Sequence, residues 1–285
     1  MLPSLRLAAK YLLGLDKANR YFGVYPDDTF LISYPRSGST WSRFLVANLL
    51  HPEKTITFAN LDQLVPATAS VSRRRLEQIP RPRMIKCHNY FDHRYCKVIY
   101  IVRDPRDVVL SEYRFLLKKR LIPDGYPIEL FVQRFLRGEV NEYSSWKENV
   151  GSWTAARGGS DGFLLLRYED LVARTEDEVG RIARFLGVQA SADELSSAVA
   201  RSSADRMRTL ENVQGDLWVV TKGSRKDVPF VGEARAGQWQ SSLSQESVAA
   251  IERAWGALMV ELGYALATKP SSQTTLAYTR SGVMS

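Results

Sequence analysis

Tyr34-Pro35-Arg36-Ser37-Gly38-Ser39-Thr40-Trp41 lies between an apolar run, Thr29 to Ser33, that reads as a buried strand and a second run, Ser42 to Leu50, that reads as a helix. A strand, a tight turn and a helix start gather backbone N–H groups and the positive end of a helix dipole around one small volume. Such a volume favours a phosphate-like anion. Gly38 lets the backbone approach it closely, Arg36 adds a permanent positive charge, and Ser37, Ser39 and Thr40 bring hydroxyl donors. The stretch is not the G-x-x-x-x-G-K-[ST] loop of ordinary nucleoside triphosphatases, because it lacks both the first glycine and the lysine of that motif.

Three further stretches end where this one begins to act. Val98 to Val102 is a continuous apolar run that reads as a buried parallel strand, and it is followed by Arg103-Asp104-Pro105-Arg106-Asp107-Val108-Val109-Leu110-Ser111. Asp104 suits an N-cap and Pro105 the first helical turn, which leaves Arg103 at the strand end and Ser111 two helical turns along. Met84-Ile85-Lys86-Cys87-His88 is a short strand ending in a cation and an imidazole, and His88 is one of only three histidines. An ordinary pKa near 6.5 makes it the natural proton acceptor at neutral pH. Phe163 to Leu166 is another buried strand, leading through Tyr168 into a helix for which Asp170 reads as the cap. Strands alternating with helices predict a single α/β domain with a central parallel sheet flanked by helices and ligands at its C-terminal edge. Arg36, His88, Arg103 and Tyr168 all fall at that edge.

Together these stretches resemble the sulfotransferases that use 3′-phosphoadenosine 5′-phosphosulfate (PAPS). Tyr34 to Trp41 is similar to that family's 5′-phosphosulfate loop, Y-P-K-S-G-T-T-W, with Arg36 in place of the lysine. Arg103 and Ser111 keep the spacing of its 3′-phosphate element, Lys86-Cys87-His88 matches K-x-H, and Tyr168-Glu169-Asp170-Leu171 matches Y-E-D-L. The resemblance implies a P-loop nucleotide-kinase-like fold and in-line sulfuryl transfer to a hydroxyl or amine of a small-molecule acceptor. The product nucleotide is then 3′-phosphoadenosine 5′-phosphate (PAP), and no metal is required. His88 is implied as general base, with Lys86 and Arg36 as the cations on the transferred group. The implied nucleotide site comprises Arg36, Ser37, Gly38, Ser39, Thr40, Trp41, Arg103, Ser111, Tyr168, Ser202, Arg235 and Gly237. Arg103 and Ser111 take the 3′-phosphate in it, and Trp41 and Tyr168 take the adenine.

Two segments depart from the family pattern. Ser202-Ser203-Ala204-Asp205-Arg206-Met207 is similar to T-S-F-x-x-M, with Ser202 at the adenine but Ala204 in place of an aromatic. Gly232 to Trp239 is set against R-K-G-x-x-G-x-W: Gly237 and Trp239 agree, while Gly232, Glu233 and Ala234 stand where arginine, lysine and glycine are expected. Arg235, or Arg225 with Lys226, is the expected source of the missing charge. The implied layout is a sulfotransferase domain over 1–268 and a loose tail over 269–285. Two other readings share part of the pattern. One is a small-molecule kinase with an altered P-loop, for which no Mg²⁺ carboxylate is evident; the other is a PAPS- or PAP-binding protein of weak turnover, suggested by Ala204, Gly232 and Glu233.

A chain of 285 residues with 45% hydrophobic content can bury one large core. Its net charge of +8 admits nucleic acid, particularly at Arg73-Arg74-Arg75 and Lys118-Lys119-Arg120. Positive charge equally serves a small molecule carrying phosphates and a sulfate, and no nucleic-acid motif accompanies it, so no nucleic-acid partner is expected. The oligomeric state is left open. Two cysteines, Cys87 and Cys96, fit a reducing cytoplasm better than a disulfide scaffold, and no apolar run approaches the roughly 20 residues that span a bilayer. The start, Met1 to Asn19, lacks a signal-peptide pattern, so a cytoplasmic location is expected. Leu5, Leu7, Ala8, Tyr11, Leu12 and Leu15 can line one face of an N-terminal helix, and Ala67 to Pro82 reads as a loop rich in arginine and proline.

Overall fold

A computed structural model describes residues 12–232 and 234–268. In chain order, β1 (Thr29–Ser33), α1 (Ser39–Leu50), α2 (Leu61–Leu64), α3 (Arg73–Glu77), β2 (Met84–Cys87) and β3 (Lys97–Val102) come first. They are followed by α4 (Pro105–Lys118), α5 (Ile128–Leu136), α6 (Trp146–Arg157), β4 (Phe163–Arg167), α7 (Tyr168–Ala173) and α8 (Thr175–Leu186). The rest is helical: α9 (Ala192–Arg201), α10 (Ala204–Gln214), α11 (Trp239–Ser242) and α12 (Gln245–Glu261).

The four strands pair in parallel in the order β2-β1-β3-β4. Alternate residues serve opposite faces, as the two-residue period of a strand requires. Phe30, Ile32, Val98 and Tyr100 join Phe131 of α5, Trp146 and Trp153 of α6 and Trp255 of α12 in one core layer. Leu31, Ile99, Ile101 and Leu166 join Phe44 of α1, Ile182 of α8 and Ala198 of α9 in the other. Both faces are therefore covered, and the strand interiors are mainly apolar, with polar residues such as Ser33, Lys86 and Arg167 at or next to the strand C-termini. The chain leaves β1 toward β2 on one side and β3 toward β4 on the other, so the winding reverses between β1 and β3. In open α/β sheets the crevice outside the strand C-termini at such a reversal is where ligands bind. The turn after β1 and Arg103 after β3 meet there.

Local expectations hold at α4, where Asp104 accepts from the Arg106 backbone N–H and Pro105 is the first helical residue. They need correction at α7. Asp170 is not the cap: the helix begins at Tyr168, directly after β4, which places Asp170 inside the first turn. The segment from Ala67 to Pro82 is not wholly loop either, since Ser72 caps the short α3 by accepting from the Arg75 N–H. Of the proposed N-terminal helical face, Leu5, Leu7, Ala8 and Tyr11 lie outside the described residues, as does the tail from Ser271 to Ser285. Leu12 and Leu15 are exposed. Among the described residues no helix is long and apolar enough to cross a membrane.

Candidate active site

The turn after β1 is built on two left-handed residues, Arg36 (φ 64°) and Gly38 (φ 91°), which swing the chain from the strand into α1. No side chain caps α1 and its first turn holds no acid, so its leading N–H groups face the turn. Ser37 is fully buried there with its Oγ unpartnered. Glycine at 38 is required twice over: by its φ, and because a Cβ would sit 2.5 Å from Cδ2 of Tyr168. The Tyr168 ring also lies 4.3 Å below Cζ of Arg103 and meets Trp41 edge to face at 5.9 Å. Trp41 is fixed in turn by its Nε1, which donates to the Ser202 carbonyl at 3.0 Å. The Ser202 side chain is fully buried, and its hydroxyl donates to Ala198 O at 2.8 Å and accepts from Asn48 Nδ2 at 3.0 Å, so here Ser202 meets the site through the carbonyl that holds Trp41.

Arg103 ties the turn to the C-terminal loop. Its Nη1 donates to the Arg36 carbonyl at 3.2 Å and its Nη2 to the Arg235 carbonyl at 3.5 Å, while its buried Nε has no partner. Asp107, one helical turn beyond, accepts from the Gly237 and Trp239 N–H groups at 2.7 and 3.0 Å and so fastens that loop onto α4. Asp107 was not singled out in the sequence, where its i,i+4 spacing from Arg103 was the one signal available. Ala234 holds φ 52°, so the backbone still turns where the family carries glycine. Arg225 and Lys226, the other expected source of the missing charge, are paired with acids in this structure. Arg225 is held by Asp227 at 2.6 Å and by Asp124, Lys226 is paired with Asp216 at 2.8 Å, and the segment is anchored at Lys118. Lys118 lies about 10 Å along the helix from Ser111 at 1.5 Å per residue.

Arg36 points back along α4. Its Nε donates to Ser111 Oγ at 3.3 Å, and its guanidinium lies 4.7 Å from the centroids of both Phe115 and Phe230. Burial pulls its pKa down to about 10, which leaves it charged at neutral pH. Glu112 lies beside it, buried, with Oε1 accepting from Asn141 Nδ2 at 3.4 Å; burial pushes this carboxyl up to about 7. No sequence pattern pointed to Glu112.

His88 Nδ1 is 2.6 Å from the Ser33 carbonyl, and since a carbonyl only accepts, Nδ1 carries the proton and Nε2 the lone pair. Asn149 Nδ2 donates to the His88 carbonyl at 2.9 Å, and the Tyr143 ring meets the imidazole edge to face at 5.2 Å. Lys86 Nζ is hydrogen-bonded to that free Nε2. Burial, and then the charge of Lys86, hold His88 well below the usual histidine range. Burial, reinforced by Arg43, pushes Lys86 down to about 7. An anion arriving at Lys86 favours its charged form, so nucleotide binding above pH 7 is expected to take up a proton. Calorimetric titration of PAP at pH 8 in two buffers of different ionisation enthalpy should show uptake of about one proton. Lys86→Arg, charged in both states, should abolish that uptake, and an unchanged uptake would assign the proton to another group.

A neutral imidazole whose lone pair faces an adjacent lysine, and an uncapped helix start flanked by two guanidiniums, make a site suited to an anionic group. Among the described residues no group of three or more His, Cys, Asp or Glu side chains is placed to hold a metal ion. The sulfotransferase domain profile matches residues 26–263, and the chain belongs to the sulfotransferase family. It is 31% identical over 236 residues to sulfotransferase 1B1 of Canis lupus familiaris, covering 77% of this chain and 79% of that protein. Sulfotransferase 1E1 of Bos taurus is 28% identical over 235 residues, again covering 77% and 79%. The fold is similar to that of a mouse sulfotransferase complexed with PAP, with a TM-score of 0.70 at 22% identity over 87% of this chain and 91% of that one. It is also similar to that of retinol dehydratase in complex with androsterone and the inactive cofactor PAP, with a TM-score of 0.69 at 19% identity over 88% and 85%.

Proposed function

We propose that the chain transfers a sulfuryl group from PAPS to a hydroxyl or amine of a small-molecule acceptor in the cytoplasm, with 1–268 as a sulfotransferase domain. The observation that carries this reading is the pairing of a lone-pair nitrogen on His88 with the ammonium of Lys86 beside the turn from Arg36 to Thr40. The turn suits a nucleotide phosphate, because Ser37 Oγ and Arg103 Nε are buried donors with no protein partner. Trp41 and Tyr168 offer aromatic surface for a base. PAPS, when bound, supplies the sulfuryl group.

His88 then takes the acceptor proton on Nε2, while its Nδ1–H bond to Ser33 keeps ring and tautomer fixed. Lys86 turns from His88 toward the incoming anion, which frees the base and places a cation where negative charge develops. Binding of the nucleotide therefore prepares the base. Arg36 adds positive charge from its place beside Ser111. The experiment is incubation with PAPS and a panel of phenols, alcohols, amines and a steroid alcohol, with mass detection of an added sulfate. PAP bound tightly with no product from any acceptor class would replace this reading by that of a nucleotide-binding protein.

A further inference from the structure

Resting on the proposed PAPS site, we infer that Arg208 supplies the cation that this chain lacks at positions 232 and 233, and that it binds the 3′-phosphate side of the nucleotide. Arg208 lies on α10, and its Nη1 donates to the Gly232 carbonyl at 2.9 Å. Gly232 belongs to a short loop whose two ends are already fixed to the site. At one end Phe230 lies 4.7 Å from Cζ of Arg36, and at the other the Arg235 carbonyl accepts from Arg103. Phe230, Gly232 and Arg235 thus meet the guanidiniums of Arg36, Arg208 and Arg103 in turn.

The residues on either side of this contact are fastened by side chains of other elements. Glu211, one turn beyond Arg208 on the same helix, accepts from the Phe230 and Val231 N–H groups at 2.7 and 2.8 Å. Asp107 holds the far end through Gly237 and Trp239. Met207, next to Arg208, is buried in the same core layer as Tyr168 and the partly buried Trp41, which brings this turn of α10 to the aromatic side of the site.

The counter-ion of Arg208 is weakly committed. Asp205 pairs with it at 2.5 Å from the first turn of α10, but the Asp205 side chain is 91% exposed. An exposed i,i+3 pair adds little stability, and a dianionic phosphate outcompetes a single solvated carboxylate for a guanidinium. Arg208 can therefore exchange Asp205 for a phosphate while keeping its bond to Gly232. The alternative donor is Arg114, which is also close to the loop: it lines an open hollow of about 290 Å³ with Arg235 and Gly237 and donates to Gln238 Oε1 at 2.7 Å. Arg114 is exposed, and the partner it holds is a side chain rather than the backbone of the altered positions.

The test compares PAP with adenosine 5′-phosphate, which differs only in lacking the 3′-phosphate. Arg208→Gln should weaken PAP about 5- to 30-fold, the range for a partly exposed hydrogen bond between charged groups, and leave adenosine 5′-phosphate within about twofold. Arg208→Lys should recover part of the loss, and Asp205→Asn should tighten PAP alone. Arg103→Ala serves as the reference for loss of the 3′-phosphate contact. If Arg103→Ala removes the preference for PAP while Arg208→Gln affects both nucleotides equally or neither, the inference fails and the PAPS reading stands. A selective loss in Arg114→Gln with none in Arg208→Gln also overturns it. If the unmodified protein shows no preference for PAP at all, both the inference and the reading beneath it are wrong.

Discussion

His88→Ala is expected to lower the rate of transfer by about 10² to 10⁴ while leaving PAP affinity within about twofold, because a general base acts on the acceptor and not on the nucleotide. The imidazole is set for this and for little else. Its Nδ1 proton is engaged by Ser33 and its carbonyl by Asn149, so the one free valence is Nε2, which Lys86 covers. Its pKa lies well below the ordinary value, so it stays neutral through the mildly acidic range. Activity is therefore expected to persist at pH values where an exposed histidine would already be protonated. Steady-state rates of the variant with a fixed acceptor, beside a PAP titration, check both halves of the expectation. Near-full turnover would remove His88 from the role of base, and a large loss of PAP affinity would make it a nucleotide ligand.

Gly38→Ala is expected to be the most damaging small substitution in the turn. The methyl group would lie 2.5 and 2.8 Å from two atoms of the buried Tyr168 ring, at a φ of 91° that an L-residue rarely adopts. Left-handed strain and overpacking each cost about 1 to 3 kcal/mol, so a loss of about 2 to 6 kcal/mol in stability is expected. Displacing Tyr168 also removes the surface under Arg103 and beside Trp41, so PAP binding should fail in whatever folds. Gly237→Ala is the control. Its φ of 79° is similar, but the nearest atom to the added carbon is Gln240 Oε1 at 3.9 Å, so strain acts without a clash and the loss should be smaller. Thermal unfolding of the two variants side by side measures the difference; equal losses would mean that Tyr168 yields freely.

What could be read from the chain was what local sequence determines. An apolar run ending at Ser33 and a glycine after two polar residues specify a strand, a turn and a helix start without any distant contact. Asp104-Pro105 does the same for α4. Ser202 shows the limit: its position in a motif suggested contact with a base, whereas its hydroxyl is engaged by Ala198 one turn back on the same helix and by Asn48, which only the packing of α9 on α1 brings within reach. Glu112, Asn149 and Arg208 stayed hidden for the same reason, since each acts through a residue tens of positions away. The C-terminal loop was legible at Gly237 and Trp239, but what holds it, Asp107, lies in another element. Between Arg225 and Arg235 the sequence could not choose, because the direction of a side chain is not legible in it; in the structure Arg225 faces the carboxylates of Asp124 and Asp227.

Sulfuryl transfer itself is tested most directly with PAPS isotopically labelled in its sulfuryl group, incubated with the full chain and the acceptor panel, with products separated by mass. The label should leave the nucleotide and appear on an acceptor oxygen or nitrogen in amounts that grow with time, and His88→Ala should suppress it. Label that remains on the nucleotide with every acceptor class, together with phosphoryl transfer to the same acceptors from ATP and Mg²⁺, would contradict the proposed chemistry.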